Sequence, residues 1–378
     1  MTLALVALLQ ALSPFDEAME SFLKKSGAPG GSLAVAKDGR LVYAKAYGLA
    51  DPERKDPVEV RDVFRIASIS KPFTAVAVLQ LVDAGKLDLD VKAFGLLGLK
   101  PGPKGDARLA DITVRQLLHH TGGWDREKSG DPMFKPFEIA KDLQVACPPL
   151  PDAIIRWMLD RPLDFEPGAR YAYSNFGYCV LGRVIEKVTG ESYSGRVESS
   201  VLKPLGITDM RIGKTVGKRA GEVAYTQPEL LPAVSVFNPE ERVPWPYGGF
   251  HLEALDAHGG WTASAVDLVR FASSLEKLLQ PGTIERMFGR PPGLKPGASY
   301  YALGWMVRPV GKEGKANVWH GGSLPGTNTL LVRRHDGLTW AVLFNQRSKH
   351  DAEIDAALHK AADAVTEWPK DDLFPKYR

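Results

Sequence analysis

The rhythm of apolar and polar residues along this chain changes twice. Near the start, "GSLAVAKDGRLVYAKAYG" holds two apolar runs, Leu33 to Ala36 and Leu41 to Ala44, around Asp38-Gly39. That residue pair suits a type I′ turn, so the stretch predicts a β-hairpin. A matching hairpin is predicted near the other end, in "GTNTLLVRRHDGLTWAVLFN". There Leu330 to Val332 and Leu338 to Phe344 flank Asp336-Gly337. Helices are predicted outside both hairpins. "SPFDEAMESFLKK" offers Ser13 as an N-cap and Pro14 at the first helical position. Asp16 and Glu17 stand at its positive end, Lys24 and Lys25 at its negative end. "DAEIDAALHKAADAV" sets Ile354, Leu358 and Ala361 roughly on one face.

The middle of the chain keeps a helical period instead. "FTAVAVLQLVDAGKLDLD", "ITVRQLLHH", "DAIIRWML", "GYCVLGRVIEKVTG" and "AVDLVRFASSLEKLL" all carry it. Loops rich in Gly and Pro separate them, notably Pro148 to Pro151 and Val243 to Gly249. No internal repeat or low-complexity tract interrupts the pattern. The simplest arrangement is an α/β fold of one domain, residues 14–378. Its two ends, about 14–65 and 290–378, build one antiparallel sheet flanked by the terminal helices. A mostly helical subdomain, about 66–289, packs against one side. A cleft between the parts is the default place for a site.

Composition narrows the picture. At 378 residues the chain has ample core for such a fold. A net charge of +3 with no basic block or stripe argues against a nucleic-acid partner. Cys147 and Cys179 lack metal-ligand spacing and read as inert. Residues 1–13 form a leader. Leu3 to Leu12 is too short to span a bilayer, and no transmembrane segment is expected. The run suits the apolar core of a signal peptide, with Ala11-Leu12-Ser13 as a cleavage site, but lacks a basic region before it. Export and a loosely packed leader are both open.

Candidate chemistry begins at "IASISKPFTA", which contains Ser68-x-x-Lys71. The spacing alone decides nothing, because Ser21/Lys24, Ser200/Lys203 and Ser274/Lys277 share it. Pro72 sets the first pair apart. A proline deep inside a helix loses a hydrogen bond and clashes, at about 3 kcal/mol. The helix therefore starts no earlier than about Ser68, which places that serine at the helix mouth. There it meets the positive dipole end and free backbone N–H groups. Lys71 at i+3 shares its face, so an amine can approach the hydroxyl. Two further motifs follow in order: Tyr173-Ser174-Asn175 and His320-Gly321-Gly322. His258-Gly259-Gly260 repeats the last tripeptide but leads into a predicted helix, whereas His320 precedes the second hairpin.

This order of motifs resembles the serine β-lactamase and penicillin-binding protein superfamily. The likeness is to its class C-like branch, with family VIII carboxylesterases and D-aminopeptidases. Flanking phrases match as well: "LLHHTGG" from Leu117, "GGWTASAVDLVRF" from Gly259 and "LGW" from Leu303. The resemblance implies an α/β sandwich with a helical subdomain, and a serine hydrolase working through an acyl-enzyme. It implies Ser68 as nucleophile and Lys71 and Tyr173 as its proton partners. It implies Asn175 and His320 as substrate contacts. The oxyanion hole would be the backbone N–H of Ser68 and of Ser323, just after Gly322. No cofactor is implied.

The residue types fit that chemistry. A serine hydroxyl needs a base. A phenol with a free pKa near 10 works as one at neutral pH only if the phenolate gains about 3–4 kcal/mol. Lys71 as a cation is the expected source for Tyr173, and which of the two is the base stays open. Asn175 can bridge Lys71 and a substrate carbonyl. His320 can hydrogen-bond Tyr173 or substrate. Tyr171 and Tyr178 read as packing residues, and Ser70 as a supporting or surface hydroxyl. His119 and His120 lack a third ligand, so no metal is expected. His120 matches a structural His-Thr-x-Gly turn of the superfamily. Trp124, Tyr247 and Trp305 read as packing or pocket lining.

The third motif departs from the antibiotic-resistance pattern, where Lys-Thr-Gly or Lys-Ser-Gly is usual. Here a cation is replaced by an imidazole that is mostly neutral at pH 7, and a hydroxyl by glycine. A carboxylesterase or amidase acting on small esters or amides is therefore the first expectation. A β-lactamase or D-amino-acid-specific peptidase is the second, and a non-catalytic relative the third. Intact Ser68, Lys71 and Tyr173 count against the third. The sequence leaves oligomeric state open.

Overall fold

The computed structural model describes residues 12–291, 297, 299–311 and 314–377. The apolar run weighed for export lies outside them except for Leu12. Helix α1 (Ser13–Ser26) leads into β1 (Gly30–Lys37), β2 (Arg40–Asp51) and the short β3 (Asp56–Pro57). The last part of the chain supplies β4 (Tyr300–Tyr301), β5 (Met306–Val310), β6 (Lys315–Leu324), β7 (Thr327–Arg333) and β8 (Leu338–Phe344), then α5 (Glu353–Ala364). These eight strands form one antiparallel sheet in the order β3-β2-β1-β8-β7-β6-β5-β4. The two ends of the chain meet where β1 pairs with β8, with Leu33 opposite Val342 and Val35 opposite Trp340.

Strand alternation divides the core between the two faces. Leu33, Val35, Val332, Trp340 and Val342 pack under α1 and α5. Ala34, Ala36, Leu331, Ala341 and Leu343 face the other way, into the larger core. There α4 (Ala265–Ala272) lies on β1 and β8, and the alanines leave room for its approach. The helical part centres on α2 (Ser70–Asp83), buried on nearly every side, and α3 (Asn175–Thr189), which packs against it. A helix enclosed in this way shows no single apolar stripe. A small sheet of Phe64–Arg65, Trp261–Ala263 and Arg211–Ile212 carries the chain from the large sheet towards α2.

Local departures have simple causes. Asp38 and Gly39 take φ of 49° and 76°, as a type I′ turn requires. In the second hairpin only Gly337 does so, at 84°, because residues 334–337 make a longer loop. Ser13 is the first residue of α1, and the buried Leu12 takes the cap position without a side-chain bond. His320 does not merely precede a hairpin; it sits inside strand β6. Among the described residues no helix is long and apolar enough to cross a membrane.

Candidate active site

The chain reaches Ser68 through a strained turn. After Phe64–Arg65 it makes one 3₁₀ turn, Ala67–Ile69, that runs straight into α2. Ser68 thus lies two residues before the α-helix, and Pro72 falls in the helix's first turn, where its missing N–H costs little. Ala67 has φ of 47°, a left-handed conformation that costs a side-chain-bearing residue roughly 1–2 kcal/mol. Strand β7 holds the turn in place. Thr327 Oγ1 donates to the Arg65 carbonyl at 2.8 Å, and Thr329 Oγ1 to that of Ile66 at 3.1 Å.

Strand β6 runs against the same turn. A Cβ on Gly322 would collide with the Ile66 carbonyl oxygen and the Thr329 hydroxyl. Glycine there lets β6 come close enough to set Ser323 beside Ser68. Two cavities of about 470 and 740 Å³ meet at these residues, and both are lined by Ser68 and Ser323. A larger cavity of about 1140 Å³, bounded by Leu97, Leu150 and Ile155, includes none of the predicted site residues.

Lys71 is fully buried and makes three polar contacts. Its Nζ lies 3.2 Å from Ser68 Oγ, 2.8 Å from Asn175 Oδ1 and 2.9 Å from the His258 carbonyl oxygen. The last two can only accept. A neutral amine therefore spends both N–H bonds on them and turns its lone pair to the Ser68 hydroxyl. A protonated amine makes the same three contacts and donates to Oγ. Burial holds the Lys71 pKa well below its ordinary 10.5, the nearby Arg126 adds to this, and Asp131 opposes it. Asn175 owes its orientation to Asp131. The carboxylate accepts from Nδ2 at 2.6 Å and so fixes which end of the amide faces Lys71. Burial raises the Asp131 pKa.

Burial pushes the Tyr173 pKa above the ordinary 10, and outweighs the lowering effect of Ser68 beside it. This reverses the expected polarity of the pair. Lys71 was expected to be a cation stabilising a phenolate. Desolvation instead favours a neutral amine and a neutral phenol, because both charged forms would be out of water. The Tyr173 ring lies 4.6 Å from Lys71 Nζ and, tilted by 40°, 4.4 Å from the His120 ring. His120 takes φ of 58°, accepts the Ser174 N–H through Nδ1 at 3.1 Å, and binds the Ala172 N–H through its carbonyl at 2.9 Å. It clamps the segment on both sides of Tyr173.

Of the two partners open to His320, Tyr173 and substrate, the ring does not bond Tyr173. Its Nδ1 lies 2.7 Å from the Gly321 carbonyl, which can only accept, so Nδ1 carries the proton. Nε2 then accepts from Tyr301 Oη at 2.9 Å. Burial first, and Lys71 second, push its pKa down to about 3. Tyr171, read as packing, is 46% exposed and lines the larger of the two cavities. Tyr178 and Trp305 are core residues, and Ser70 is buried, accepting the Trp261 N–H. The structure thus brings together Ser68, Lys71, Tyr173, Asn175, His320, Gly322 and Ser323. Sequence reasoning missed Asp131, Tyr301, Arg126, Arg347 and the His258 carbonyl. Asp131 shows only a capping signal before Pro132, and a backbone carbonyl has no side-chain signature at all.

Comparison with known proteins agrees with this geometry. Residues 15–364 match the Beta-lactamase family. Penicillin-binding protein 4* of Bacillus subtilis is 26% identical over 353 residues, covering 89% of this chain and 72% of that protein. Esterase EstB of Burkholderia gladioli is 35% identical over 202 residues, about half of each chain at 51% and 50%. The crystal structure of a D-stereospecific amidohydrolase from Streptomyces sp. superposes with a TM-score of 0.69 at 25% identity, covering 91% of this chain and 97% of that one. The match runs from the first residues of α1 to the last of α5, through every strand of the sheet, and the chain belongs to the Beta-lactamase family.

Proposed function

We propose that this serine hydrolase cleaves small esters, and amides more slowly, through an acyl-enzyme on Ser68 with Lys71 as the base. One observation carries the reading: a fully buried amine lies 3.2 Å from Ser68 Oγ with two pure acceptors for its N–H bonds, so that in its neutral form, which burial favours, the lone pair faces the Ser68 hydroxyl. Ser68 Oγ attacks the carbonyl carbon as its proton passes to Lys71. The resulting oxyanion lies against the backbone N–H groups of Ser68 and Ser323, each donor worth roughly 3–4 kcal/mol of barrier. Tyr173 gives its proton to the leaving oxygen or nitrogen and is reprotonated from Lys71. Water then repeats the attack on the acyl group and restores Ser68. Similarity to an esterase and to an amidohydrolase supports this choice of bonds. Similarity to a penicillin-binding protein keeps peptides as the second substrate class.

A fluorophosphonate probe tests the nucleophile. Intact mass and peptide mapping should find one adduct, on Ser68. An adduct on Ser21, Ser200 or Ser274, or labelling that survives Ser68→Ala, overturns the assignment.

The pH dependence follows from burial. Because the Lys71 pKa is lowered, the amine is a working base from a lower pH than a free lysine. Because the Tyr173 pKa is raised, its proton stays available on the alkaline side. His320, held near 3, contributes no step around neutrality. kcat/KM for p-nitrophenyl butyrate should therefore rise along an acid limb well below pH 10.5 and hold level to about pH 10. A profile that peaks near pH 5 would assign the base to another group.

A further inference from the structure

Two arginines and no carboxylate line the smaller of the cavities at Ser68, about 470 Å³ in volume. Phe134, Leu230, Trp245, Leu255 and Leu324 supply apolar walls. Two of these large side chains, Phe134 and Leu230, are still 39% and 37% exposed, as an apolar rim open to a ligand would be. The other titratable lining group, His258, is neutral, because burial holds its pKa well below 6.5. The Arg126 guanidinium sits 4.9 Å from the Tyr173 ring. Its ion pair with the adjacent Glu127, at 3.3 Å, is on the surface and weak. Arg347 follows β8, and its backbone carbonyl is tied to Gln227 Nε2 at 3.0 Å. Both arginines also line the larger cavity, which carries Asp351 and Asp355, and the charge of Arg347 reaches Asp351.

We infer that this cavity selects amphipathic anionic substrates: esters or amides with an apolar body on Phe134, Trp245 and Leu255 and a carboxylate held by Arg126 and Arg347. The inference rests on Ser68 being the reacting group. Guanidinium forks match a carboxylate in two-point, charge-assisted hydrogen bonds. Low-dielectric walls strengthen them, and the volume suits a small ligand.

The test compares two esters on the full chain: the 4-nitrophenyl monoester of adipic acid and the same compound with its free acid capped as a methyl ester. Leaving group and acyl length are shared, and only the charge differs. The acid should have the higher kcat/KM by about 10-fold or more, chiefly through KM, and added salt should shrink the gap. Arg347→Gln should bring the ratio close to one, and Arg347→Lys should keep part of it. Thermal melting reports whether each variant is folded. A ratio at or below one in the unmodified protein overturns the inference, as does a ratio that survives both Arg126→Gln and Arg347→Gln. Binding of both esters to Ser68→Ala, read by tryptophan fluorescence, decides the point without turnover: equal affinities sink it. Hydrolysis of neither ester, with Ser68 unlabelled by fluorophosphonate, would instead fall on the serine-hydrolase assignment.

Discussion

Ser68→Ala, Lys71→Ala and the double variant should all fall to about the same floor, roughly 10⁴-fold or more below the unmodified protein in ester kcat/KM. Groups that act as one unit lose the whole effect when either is removed. Lys71 takes its proton from Ser68 and returns it through Tyr173, since its other two contacts accept hydrogen bonds and take no proton away. Tyr173→Phe is the sharper probe. It keeps the ring on His120 and Lys71 and removes only the hydroxyl. A loss of about 10²–10³-fold is expected, with Lys71→Ala/Tyr173→Phe little worse than Lys71→Ala alone. Lys71→Ala leaves the Asn175 oxygen and the His258 carbonyl buried without that donor, so its melting temperature should drop as well. Tyr173→Phe carries no such penalty and separates chemistry from folding. Losses that multiply across the double variants would mean that Lys71 and Tyr173 act independently, and that the shared proton path is wrong.

Where a signal was local, the sequence was readable. Asp38-Gly39 forms its predicted turn, the two chain ends close one sheet, and Pro72 correctly marks Ser68 as lying at a helix mouth. The predicted class of helical segments in the middle also holds for α2, α3 and α4. Strand β6 was hidden because Gly321-Gly322 breaks its alternation, and Gly322 is there for a contact with a turn more than 250 residues away. Charge states were the least legible. Lys71 and Tyr173 look like a cation and a potential phenolate until both are seen to be enclosed, and enclosure is a property of the whole fold. For the same reason the sequence left Tyr173 and substrate open as partners of His320, whereas its ring bonds Tyr301, on the edge of the sheet. Asp131 and Arg347 come from loops and Arg126 from a four-residue helix, Arg126–Ser129, where spacing carries no information about what lies opposite.

The unmodified protein should hydrolyse p-nitrophenyl acetate or butyrate with a kcat/KM well above that for any penicillin or cephalosporin. A β-lactam carries its carboxylate on the carbon next to the scissile amide nitrogen. That group needs a donor from the strand beside the nucleophile. A charge-assisted hydrogen bond there is worth about 1.5–3 kcal/mol, or roughly one to two decades in kcat/KM. At His320 and Gly321 strand β6 offers no such donor. His320 is neutral, its Nδ1 proton is bound to the Gly321 carbonyl, and its Nε2 is taken by Tyr301. Gly321 has no hydroxyl, although there is space for one: a Cβ there would come no nearer than 3.7 Å to the Thr329 carbonyl oxygen. A short neutral ester needs neither group, and its alkoxide or phenoxide departs more readily than an amine. Gly321→Thr should therefore narrow the gap between ester and lactam by up to about 10-fold. Adding His320→Lys supplies a cation but puts it in a site only 3% exposed and close to Lys71, at the cost of the Tyr301 bond. The double variant should gain less for lactams than the charge alone suggests and lose ester turnover. Faster hydrolysis of a β-lactam than of the esters by the unmodified protein would overturn the prediction. So would a ratio that Gly321→Thr leaves unchanged, since the carboxylate on the leaving-group side would then be held away from β6.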